Sequence, residues 1–172
     1  MKSKVAAALA TLALVLTGCG SDPSASPSSS SSVPATATLK EWITAVGVSD
    51  VLNAFSESLK GLSADVTAAD PSDPKSLAGA IAAHGPELLK VAVDLAAEPA
   101  CDDTAYEALR TSATFSIRSF AKLAIALSTT TDAKRMADVN AAVAAITPMN
   151  AALQPYSAYI TAHGTDTVHA AA

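Results

Sequence analysis

From Thr38 onward, apolar residues return every three or four positions, the spacing of one helix face. The first stripe runs Trp42, Val46, Leu52, Phe55, Leu59, Leu62 and Val66. Thr38 and Glu41 open it as a capping box, the threonine oxygen accepting a backbone N–H and the glutamate reaching back. Gly47-Val48-Ser49-Asp50 interrupts the stripe, so the helix is expected to kink or split there, with Ser49 placed to cap the second piece. Asp70-Pro71-Ser72-Asp73-Pro74 reads as a turn, with Asp73 as cap and Pro74 as first helical residue. The next stripe is Leu77, Ile81, His84, Leu88, Val91 and Leu95. Gly85-Pro86 falls inside it, and the preserved phase predicts a kink or a very short break. Glu98-Pro99-Ala100 ends the segment.

Asp102-Asp103-Thr104 opens a third helix, where Thr104 to Glu107 repeats the capping-box pattern. Its core face is Tyr106, Leu109, Ala113, Phe120, Ala124 and Leu127. A Ser/Thr turn at 128–131 leads to a fourth stripe of Val139, Val143, Ile146, Met149, Leu153, Tyr156 and Ile160. Pro148 and Pro155 lie within it and are expected to bend it, and Gly164 stands as a C-terminal stop. Four amphipathic segments joined by short turns predict an all-α fold, an up-and-down bundle of about four helices spanning 38–164, some kinked at Gly or Pro. No convincing period-2 run argues for a sheet. Residues 165–172 read as a frayed, disordered tail.

The first 37 residues follow a different pattern. Lys2 and Lys4 precede an apolar run from Val5 to Leu16, the shape of a secretory signal peptide and too short for a comfortable membrane span. Small residues follow, and then Cys19. Leu16-Thr17-Gly18-Cys19 resembles the lipobox of bacterial lipoprotein precursors. That resemblance implies cleavage after residue 18 and a covalent diacylglyceryl group, with palmitate-type acyl chains, on Cys19. It implies a cell-membrane protein, lipid-anchored on the extracytoplasmic face. The heavy use of Ala, Thr, Asp and Val resembles that of small actinobacterial envelope lipoproteins. Two acyl chains hold a bilayer far more firmly than one. Residues 20–37, GSDPSASPSSSSSVPATA, have almost nothing to bury and are expected to be a disordered tether. Eighteen such residues reach on average about 23 Å.

Losing Lys2 and Lys4 from a chain of net charge −5 leaves the mature protein at −7. An acidic chain with no Lys/Arg cluster is a poor nucleic-acid binder, so no nucleic-acid partner is expected. Membrane contact should come through the anchor rather than through charge. If Cys19 carries lipid, Cys101 is left without a partner in an oxidising compartment. It is either a small, partly buried residue ahead of a helix or an intermolecular disulfide or redox residue.

Candidate chemistry is sparse. His84 is the one ionisable residue on its stripe, either a ligand contact or a locally hydrogen-bonded helix-end histidine. His163, Asp166 and His169 lie close together, but without a fourth ligand they predict no metal site. No nucleophile elbow, phosphate loop or paired-carboxylate setting occurs, so a non-enzymatic role with no cofactor beyond the lipid on Cys19 is expected. Phe115, Arg118, Lys122 and Ile125 fall opposite the core stripe of the third helix. They form either a partner surface or a second buried face whose cations snorkel or pair with acids of the first helix. The leading expectation is a protein-interaction module. The alternative is a small-molecule or lipid-binding bundle using His84, Trp42, Tyr156 or Tyr159 in a cavity opened by the kinks.

Overall fold

The computed structural model describes residues 38–164, and over that range the protein is an all-α helical bundle. The helices are α1 (Leu39–Ala45), α2 (Val48–Ala68), α3 (Pro74–Ala83), α4 (Gly85–Ala97), α5 (Thr104–Leu127) and α6 (Asp132–Gly164). They form four arms, because α1 with α2 is one arm broken at Val46-Gly47 and α3 with α4 is one arm broken at His84. The signal-peptide, tether and tail segments, 1–18, 19–37 and 165–172, lie outside the described residues, as does Cys19.

The caps explain where each arm starts. Thr38 and Glu41 form the expected box: Glu41 N–H donates to Thr38 Oγ1 at 3.3 Å, and Thr38 N–H donates to Glu41 Oε2 at 2.8 Å. These bonds hold the Glu41 carboxyl below its ordinary pKa. Asp73 accepts from Lys75 N–H at 2.9 Å, directly before Pro74. The first arm splits at Gly47, whose φ of +71° is left-handed, and no side chain caps α2. Ser49 is therefore not the cap. The second arm breaks at His84 alone, with Gly85 and Pro86 opening α4. Asp103, not Thr104, caps α5, accepting from Tyr106 N–H at 2.9 Å. Glu107 is thereby released from a capping box, and it acts elsewhere. Helix α6 runs through Pro148 and Pro155, both exposed.

The apolar stripes become one core. Phe55, Leu62, Ile81, Leu88, Leu95, Ile117, Phe120, Met149 and Tyr156 are fully enclosed, each burial contributing about 1.5–3 kcal/mol for its side chain. Helix α5 is the central element, packed on α3, α4 and α6, while α2 packs on α3 and α4. The left-handed turn at Gly47 lets α1 depart from α2 and lie against α6. Two close approaches depend on glycine. A Cβ on Gly85 would stand 2.7 Å from Ile125 Cγ1 and 2.9 Å from Ile125 N, so α4 enters the bundle directly against the α5 backbone. A Cβ on Gly61 would meet His84 Cε1 at 2.9 Å, so the imidazole lies over α2 where no side chain intervenes.

Alternation of the four arms brings three chain segments to one end: α1 with Thr38, the loop 98–103, and the C-terminal part of α6. The ring contacts agree, since Trp42 of α1 meets Tyr106 of α5 at 5.0 Å and Tyr106 meets Tyr156 of α6 at 5.7 Å between centroids.

Candidate functional site

Two regions of the bundle carry chemistry. The first is the outer face of α5. Phe115 is 71% exposed, the most exposed large apolar side chain among the described residues, and Lys122 is exposed beside a half-buried Arg118. Among the described residues neither cation forms an ion pair, so of the two buried-face alternatives the pairing with acids of the first helix does not occur there. Ile125 does not share this exposure. It is half-buried against Gly85 and is used in packing α4 onto α5.

The same packing fixes what borders the face. Gly85 sits on Ala124 and Ile125, and Arg110 Nη1 donates to Leu95 O at 2.9 Å, so α4 and α5 run antiparallel in a known register. That register sets Val93, itself 50% exposed, level with Phe115. At 100° per residue, each lies roughly 80° beyond the contact line marked by Gly85 and Ile125, away from the core. Val93 and Phe115 therefore flank one outer groove between α4 and α5, with Arg118 and Lys122 along it.

The second region is the closed end of the bundle, and periodicity alone does not find it. Arg110 lies on the core side of α5 with 11% of its side chain exposed. Its Nη1 donates to the carbonyls of Leu95 and Glu98 at 2.9 and 3.0 Å. Its Nε and Nη2 donate to Glu107 Oε2 at 3.2 and 2.7 Å. Glu107 Oε1 accepts from Cys101 N–H at 2.7 Å, which ties the loop 98–103 to the first turn of α5. Glu98, the residue after α4, turns its carboxyl inward, and Oε2 stands 3.9 Å from Arg110 Nη1. Burial pushes the Glu98 carboxyl up to about 7, with Arg110 opposing and Glu107 and Asp94 adding to the rise.

Beneath the cluster the hydroxyls of Tyr106 and Tyr156 share a buried hydrogen bond of 3.2 Å, and burial raises both far above the ordinary phenol range. Tyr159 O–H donates to Asp103 Oδ2 at 2.7 Å, which raises the phenol and helps lower the carboxyl, whose largest support is Tyr106 N–H. Cys101 is a free, half-buried thiol in this loop. The arrangement clamps a loop and stores a buried carboxyl; no group in it is set as a nucleophile beside a base.

His84 Nε2 pairs with Asp65 Oδ2 at 2.8 Å, so it joins α2 to the α3–α4 break. His163 stacks on Tyr159 at 4.1 Å, and its Nδ1 lies 2.9 Å from the Tyr159 carbonyl oxygen. Asp166 and His169 lie outside the described residues. Among the described residues no group of three or more His, Cys, Asp or Glu is placed to hold a metal ion, and no helix is long and apolar enough to cross a membrane. Comparison with protein-family models, curated proteins and solved structures finds no match to this chain.

Proposed function

We propose that this protein is an envelope lipoprotein, held to the extracytoplasmic face of the cell membrane by a diacylglyceryl group on Cys19, and that its bundle is a non-enzymatic protein-interaction module. The observation that carries the binding role is the α4–α5 groove. Phe115 lies open on the bundle's central helix, level with exposed Val93, beside two cations without acidic partners among the described residues, in a chain of net charge −5. Apolar side chains rimmed by unpaired charge are the composition of a protein contact surface. The lipobox-like Leu16-Thr17-Gly18-Cys19 and the Ser/Pro-rich stretch after it support the anchor and a tether long enough to present that groove to a neighbour.

A photo-crosslinking residue at position 115, expressed in the native envelope, tests this reading against the same residue at exposed position Glu57 on α2. A discrete protein adduct from 115 and none from 57 supports it. No discrete adduct at 115, or identical adducts at both, contradicts it. The alternative, a small-molecule or lipid-binding bundle, has less support, because Trp42 and Tyr156 pack against Tyr106 and His84 is engaged by Asp65.

A further inference from the structure

The Glu98 carboxyl has 5% of its side chain exposed, and neither oxygen accepts a hydrogen bond. An ionised carboxylate in that position is costly unless paired and hydrogen-bonded. Its one facing cation is already committed, since Arg110 serves two backbone carbonyls and Glu107. One guanidinium thus answers two carboxyl groups, and Asp94, one turn earlier on α4, adds a third negative charge nearby. The remaining titratable groups that face Glu98 are the hydroxyls of Tyr106 from α5 and Tyr156 from α6, bound to each other.

We propose that Glu98 is a proton-binding site that latches the α4–α5 loop: protonated, it stays folded beneath the loop, and deprotonated, it turns out to water and loosens it. The movement has a direct route to the loop. The Glu98 carbonyl is one of the acceptors that Arg110 holds, and Arg110 in turn orients the Glu107 that fixes Cys101 N–H. Turning Glu98 outward disturbs both clamps on residues 98–103.

The sign follows from linkage. Folding raises this carboxyl from its ordinary 4.5 to about 7, so between those values the folded chain holds a proton that the unfolded chain has released. Stability from this group is full below about 4.5, falls as pH rises to about 7, and is level above.

The test is urea unfolding of the full chain across that window, read by Trp42, the single tryptophan, which lies edge-on to Tyr106. It is paired with amide hydrogen exchange of residues 98–103, corrected for intrinsic rates. The unfolding midpoint of the wild type is expected to fall through the window. Loop exchange is expected to rise on the order of tenfold for each pH unit crossed. Glu98→Gln should remove both dependences. Glu107→Gln should move them to lower pH, because it removes a neighbouring negative charge and frees Arg110 for Glu98. Wild-type midpoints that do not fall, or a fall that Glu98→Gln leaves unchanged, would overturn the proposal. Should Glu98→Gln fail to fold, an unshifted profile in Glu107→Gln does the same.

Discussion

The guanidinium of Arg110 satisfies Glu107 and two backbone carbonyls from a position on the core side of α5. Truncating it leaves Glu107 without its cation and Glu98 without its only facing cation among the described residues. Arg110→Ala should therefore cost about 3–5 kcal/mol in urea unfolding, the range for breaking a buried pair on one side. A loss under about 1 kcal/mol would show that water replaces the clamp. Gly85 makes a different demand, because a Cβ there strikes the Ile125 backbone N as well as Ile125 Cγ1, and the backbone cannot swing aside. Gly85→Ala should cost about 1–3 kcal/mol by the same measurement, as overpacked cores do. Phe115→Ser should change stability by less than about 0.5 kcal/mol, since the ring is 71% exposed, while abolishing the adduct formed by a photo-crosslinking residue placed at Val93 on the same face. Stripe counting passed over Arg110 and Glu98 for a physical reason: it scores apolar residues, and a buried ion cluster enters a core only through partners that sequence spacing does not reveal.

At the scale of the helix, propensity and capping chemistry were legible where the partners are three residues apart or fewer. Thr38 with Glu41 and Asp73 with Lys75 are such pairs, and the apolar stripes from Trp42 to Ile160 became the buried faces. The cap of α5 moved one residue to Asp103 because the competing use of Glu107 is tertiary, set by Arg110 and Cys101. Ile125 illustrates the other limit. A wheel drawn on α5 alone places it on the outer flank, and only the glycine on α4 lets a neighbouring backbone close over that flank. The sequence cue was present in Gly85 itself, a small residue in phase with a large-residue stripe. At the α1–α2 break, Gly47→Ala should cost about 1–2 kcal/mol, because a Cβ penalises the left-handed conformation. A loss of Trp42–Tyr106 contact, seen as a red-shifted Trp42 emission, would mark α1 leaving α6.

On the scale of the whole molecule, the two chain ends of the bundle and the loop 98–103 share one end, while the α4–α5 groove runs along the side. Thr38, where the described residues begin, stands at the end that carries Glu98, Arg110 and the tyrosine pair. The up-and-down expectation already implied this shared end; which side chains meet there was not readable before the arms were assembled, since stripes give faces but not the order in which they close. The lipobox-like motif works at the opposite extreme, four adjacent residues read without any fold. The anchor is therefore the claim on which the proposed envelope role depends. The most direct test is mass spectrometry of the N-terminal peptide of the protein purified from host membranes. The account predicts a chain beginning at Cys19 with a diacylglyceryl group on its sulfur, and retention of the bundle in the membrane fraction that Cys19→Ala abolishes. A chain that keeps Met1, or begins at Cys19 with an unmodified thiol, would contradict it.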